Sequence, residues 1–203
     1  MPIWRHNKRR ILMPKNPQDD LESVASFMTD SQENLAIATS VYDQYETVRQ
    51  RILREFFAKL RHRLIKNRSG WWSEYAPPFF TTTYGAFKIA KDSWSGEYEI
   101  RIEAYDFGDK MIGGVSRCKE VKGRPYCAPI FEAFKEANWP ARQRASYEAE
   151  VTIKSPAADW RTAETLWRIK TKPEFLDEVE GMFLSWIKIS EPLLDKFVAE
   201  IKK

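Results

Sequence analysis

The sequence predicts an α+β protein with a long N-terminal helix, an antiparallel β-sheet in the middle of the chain and C-terminal helices packed on one sheet face. Three observations lead there. Apolar residues step by three or four from Val41 through Leu64. Residues 97–105 alternate between charged and apolar. A broad apolar helical face returns after Pro173. The first and third are the helical period and the second is the period of a half-buried strand.

Residues 1–30 read as a basic arm and a short helix, the latter from Asp19 to Met28, and residues 31–203 as a single α+β domain. Thr29-Asp30 supplies a cap for the long helix, because a short side-chain oxygen can accept from the free amides of a first turn. That helix runs over 31–67. It sets Val41, Tyr45, Val48, Ile52, Phe56, Leu60 and Leu64 on one stripe and ends at Ser69-Gly70. At 1.5 Å per residue its length is ~50 Å, more than a compact domain of this size needs. Part of it is therefore expected to project or to pair with another helix.

Ala86–Lys91 reads as a strand, and Ser95-Gly96 as a turn. In the next strand Tyr98, Ile100, Ile102 and Ala104 face one way and Glu97, Glu99, Arg101 and Glu103 the other, predicting a sheet with one wet side. Lys110–Arg117 and Tyr147–Lys154 follow as strands, with a short helix at Ile130–Trp139 between them and Thr165–Lys170 as a last strand. Thr171 with Glu174 has capping-box spacing for the final helix, which Ser190 and Pro192 kink or restart.

Of the 203 residues, 43% are hydrophobic and 31% charged, which excludes a disordered chain. No run of eighteen apolar residues spans a membrane, and the basic start lacks the apolar stretch of a secretory signal. Cys118 and Cys127 then read as reduced thiols of a cytoplasmic protein, a local disulfide between them being the alternative. Charge falls in blocks. Residues 1–15 carry Arg5, Lys8, Arg9, Arg10 and Lys15 and no acid. Residues 18–47 carry Asp19, Asp20, Glu22, Asp30, Glu33, Asp43 and Glu46 and no base. Bases return over 49–68 against the single acid Glu55.

Familiar catalytic patterns are missing. His6 and His62 have no nucleophile or orienting acid near them in sequence. Two cysteines without a neighbouring histidine do not make a zinc set. Gly113-Gly114 marks a bulge and not a phosphate loop. No cofactor or metal is expected, except Mg²⁺ if the chain is a nuclease. In that case Asp106, Glu120 and Lys122 are the candidates, two acids to hold the metal and a lysine to orient water. The competing reading is a solvated polar loop.

The basic half-helix (Arg49, Arg51, Arg54, Lys59, Arg61, Arg63, Lys66, Arg68) and the arm (Lys8, Arg9, Arg10) admit three readings. They are a solvated helix end matched to its dipole, a grip on nucleic-acid phosphates, or the basic half of an antiparallel self-pairing that lays acid against base. Trp71, Trp72 and Tyr75, with Phe79, Phe80 and Tyr84, are either a stacking platform for bases or core where helix meets sheet.

From Ile52 onward the order Phe56-Phe57-Ala-Lys-Leu60, Trp71-Trp72, Lys91-Asp-Ser-Trp94, Tyr98–Glu103, Ile112-Gly-Gly-Val115 and Phe183-Leu-Ser-Trp186 resembles a C-terminal accessory module of the PD-(D/E)XK nuclease superfamily. The resemblance implies a recognition-type module of bacterial or phage proteins without the catalytic motif, and the expected setting is a nuclease or defence system. The expected function is that of a non-enzymatic binding or regulatory protein. It would contact a protein partner, a second copy or nucleic acid through its long helix and the adjoining aromatics, and no membrane. A metal-dependent nuclease of the PD-(D/E)XK type is the alternative.

Overall fold

The computed structural model describes residues 17–76, 79, 84–94, 96–105, 110–118 and 126–201. The chain divides into two compact units, Met1–Thr47 and Val48–Lys203. The first contains α1 (Pro17–Thr29) and the start of α2 (Gln32–Ile65). The second contains the rest of α2, β1 (Trp71–Ala76), β2 (Tyr84–Lys91), a 3-10 turn at Asp92–Trp94, β3 (Tyr98–Tyr105) and β4 (Lys110–Arg117). It continues with α3 (Ala128–Glu136), β5 (Ala141–Arg144), β6 (Tyr147–Ile153), α4 (Ala163–Thr171) and α5 (Pro173–Ile201).

The strands form a six-stranded sheet in the order β1-β2-β3-β4-β6-β5, and every neighbouring pair is antiparallel. One row across it shows how the core is built. Phe87 faces Ile102, Ile102 faces Gly113, and Gly113 faces Val151. The α2 ring of Phe57 stacks on Phe87 at 5.0 Å, and the α5 ring of Phe183 meets Phe87 edge-on at 5.5 Å. Gly113 is small because Trp186 of α5 lies against it. A Cβ there would come within 2.7 Å of the indole and 2.6 Å of the Arg101 carbonyl. Gly114, at φ 120°, is pressed against the Ala149 carbonyl. The glycine pair thus buys close approach, and the expected bulge falls one residue later, between Val115 and Ser116.

Four expectations are corrected. Thr165–Lys170 is not a strand but lies in α4. Thr162 Oγ1 accepts from the Thr165 amide at 3.1 Å, and Leu166 and Ile169, three apart, are buried. Thr171 does not cap α5; its hydroxyl donates to the Trp167 carbonyl at 2.7 Å, inside α4. α5 passes through Pro192 as one helix. The sheet side expected to be wet is largely closed, since Glu99 and Glu103 are only 5% and 2% exposed. Two strands, β1 and β5, were not expected. Neither cysteine is in a disulfide; Cys118 is half-buried and Cys127 buried. Among the described residues no helix is long and apolar enough to cross a membrane.

Candidate protein-interaction surface

The corner between α1 and α2 is set by short polar side chains. Ser31 Oγ accepts from the Asn34 amide at 3.0 Å, which makes Ser31, and not the expected Thr29-Asp30, the cap of α2. Asn34 Nδ2 donates to the Phe27 carbonyl at 2.9 Å, and Thr29 Oγ1 to the Ala25 carbonyl at 2.9 Å. These bonds occupy groups at the end of one helix and the start of the next.

Beyond this corner the large apolar side chains of α2 as far as Val48 are exposed. Leu35, Ile37, Val41, Tyr42, Tyr45 and Val48 are all exposed, Val41 by 62% and Tyr42 by 82%, as are Val24 and Phe27 of α1. Burying a side chain of this class is worth roughly 1.5–3 kcal/mol, so a continuous row of them forgoes a large stabilisation. From Leu53 onward the same helix is different: Leu53, Phe56, Phe57, Leu60 and Leu64 are buried. Exposed apolar rows of this kind mark interaction surfaces.

The basic end of α2 is partly spent within its own unit. Arg63 Nη1 lies 2.6 Å from Asp177 and 2.9 Å from Glu180 of α5. Arg68 is 3.9 Å from Glu191 and stands over the Trp71 ring at 5.7 Å. Arg51 pairs with Glu55, which also takes Lys170 at 2.6 Å. These two bonds, Lys170's first, hold the Glu55 carboxyl below its ordinary value. Arg54, Arg61 and Lys66 are exposed.

The aromatics after the helix line the core. Trp71 meets Trp94 edge-on at 5.2 Å, Trp72 lies beneath Lys88, and the Tyr75 ring packs 4.9 Å from Phe57 while its hydroxyl donates to Gln50. All three are half-buried. Lys8, Arg9, Arg10, Asp106, Glu120 and Lys122 lie outside the described residues.

The sheet carries a charged lattice that the alternation of β3 signalled but whose burial it could not. Arg101 lies 3.0 Å from Glu103 and 3.2 Å from Glu99, and Lys88 is 3.4 Å from Glu99 and 3.2 Å from Glu74. Arg142 and Arg144 converge on Glu150 at 2.6 and 3.2 Å. The Tyr147 hydroxyl donates to Glu103 at 2.8 Å and accepts from Arg101 at 3.0 Å. Burial raises the Glu103 carboxyl above its ordinary value, against the pull of Arg101. Four cations face four carboxylates, so the lattice carries no net charge to draw in an anion or a cation. Among the described residues no group of three or more histidine, cysteine or acidic side chains is placed to hold a metal.

A cavity of about 440 Å³ opens between the end of β6 and α5, lined by Trp139, Pro140, Ile153, Lys154, Gly181 and Met182 among others. Its walls are mainly apolar.

No family model, curated protein or solved structure matches the chain.

Proposed function

We propose that this chain is a non-enzymatic protein-binding module whose contact element is the first half of α2, of the recognition type that the accessory-module resemblance suggests. The exposed row Leu35, Ile37, Val41, Tyr42, Tyr45 and Val48 carries this reading. A solvated helix has no use for such a row, and an intermolecular contact does. The chemistry of the surroundings agrees. Residues 18–47 hold acids and no base, so the surface favours a partner face that is apolar at its centre and basic around it. Nucleic acid fits it poorly, because phosphates are repelled by those acids.

A photo-cross-linking residue placed at Val41 in the producing cell tests this. The expected result is a discrete protein adduct, absent when the cross-linker stands at exposed Lys196 of α5. No adduct from Val41 would overturn the reading.

A further inference from the structure

We propose that the occupant of this surface is a second copy of the chain, its α2 lying antiparallel to the first over residues 32–54. This rests on the α2 row being a contact surface, and it adds the partner and the register.

The spacing supplies the first argument. Ala38, Val41, Tyr45, Val48 and Ile52 step by three, four, three and four, which is the seam of a heptad repeat. α2 is helical over the whole of this stretch. Placed antiparallel to itself, the seam is symmetric about position 43. Val41 then meets the second copy's Tyr45 and Ala38 its Val48, while Ile52, packed against the core of its own copy, closes the end of the seam opposite Asn34. Small residues fall opposite larger ones, which lets the two faces interdigitate. The contact is isologous, so the two copies close on each other.

Charge supplies the second argument and fixes the direction. Along this stretch Asp30 and Glu33 lie at one end, and Arg51 and Arg54 at the other. A parallel pair would set Glu33 against Glu33 and Arg51 against Arg51. The antiparallel pair sets Glu33 of each copy beside Arg51 and Arg54 of the other, twice by symmetry. Glu33, Arg51 and Arg54 are exposed and in position to do this. The Arg51–Glu55 pair is a surface contact one turn apart, 3.2 Å long with the Arg51 side chain 81% exposed. Exposed pairs of this kind contribute little to stability, so Arg51 can exchange Glu55 for an intermolecular partner. Asp43, at the centre of symmetry, lies on the far side of the helix from the seam at 100° per residue, and like charges do not meet there.

Analytical ultracentrifugation of the full chain over a range of concentrations tests the proposal. Wild type is expected to reach twice the chain mass, and Val41→Asp to stay at one. Glu33→Arg and Arg51→Glu should each weaken association by about tenfold. An equimolar mixture of those two single variants should recover it, because each copy then supplies the charge the other lacks. A wild type that stays at single mass, a dimer indifferent to Val41→Asp, or a mixture that fails to recover association would overturn the proposal. A single-mass wild type that still cross-links from Val41 to a different protein removes the second copy and leaves the contact surface standing. With no adduct at all, both fall.

Discussion

The ring of Phe57 lies parallel to the ring of Phe87, 5.0 Å away with an interplanar angle of 10°. The contact ties the basic half of α2 to β2, as Tyr75 beside it does to β1. Phe57 also packs against Tyr75, Phe79 and Trp160. It is fully enclosed, so truncation leaves a cavity that the surrounding rings cannot close. Phe57→Ala is expected to cost about 3–5 kcal/mol of unfolding free energy, measured by urea denaturation.

Asp195 serves two elements. Its carboxylate takes Lys91 Nζ at 2.5 Å and the Trp94 indole N–H at 2.8 Å, which fastens β2 and the turn after it to α5. Trp94 is fully buried. Asp195→Ala leaves a buried N–H without its acceptor, and the expected loss is about 1–3 kcal/mol. Lys91→Met should cost less, since the indole keeps its bond. Equal losses in the two variants would contradict this division.

Two glycines should respond in opposite directions to the same substitution. Gly181 sits inside α5 with nothing within 4 Å of an added Cβ, so Gly181→Ala should stabilise by up to about 1 kcal/mol through helix propensity. Gly113→Ala drives a methyl into Trp186 and the Arg101 carbonyl and should destabilise by about 1–3 kcal/mol. Paired thermal melts read both signs.

The sheet lattice makes stability depend on pH. Glu103 is raised above its ordinary value of 4.5, chiefly by burial, so the folded state binds its proton more tightly than the unfolded state does. Stability therefore falls as pH rises from the unfolded value through the folded one. Glu103→Gln removes the titration. The difference in unfolding free energy between variant and wild type should shift in the variant's favour as pH rises from about 4.5 towards 7. A difference that is constant over that range would contradict it.

The parts of this fold that were legible in the sequence are those where periodicity and tertiary environment agree. α2 stood out from its three-four spacing, and β3 from Tyr98–Ala104. α4 did not, because Thr165, Leu166 and Ile169 are individually strand-compatible, and only the Thr162 cap decides for helix. β1 and β5 were hidden, since Trp71, Trp72 and Tyr75 read as a cluster and Ala141–Arg144 is short and mostly polar. The closed side of the sheet was hidden for a different reason. Alternation says which way Glu99, Arg101 and Glu103 point, whereas the Lys88 ammonium and the Tyr147 hydroxyl that join them come from other strands. The α2 surface was half legible. Its stripe was visible in sequence, but only the structure separates residues from Leu53 onward, which enter the core, from Leu35–Val48, which do not.

The most direct test of the central claim is the unfolding free energy of an Ile37→Gln, Val41→Gln, Val48→Gln variant, measured at high dilution beside wild type. If the row exists for contact between molecules, the three changes together should alter stability by no more than about 1 kcal/mol, as surface substitutions do. A loss of several kcal/mol, the size expected for core truncations, would mean that the row is packed within its own chain and would contradict the account.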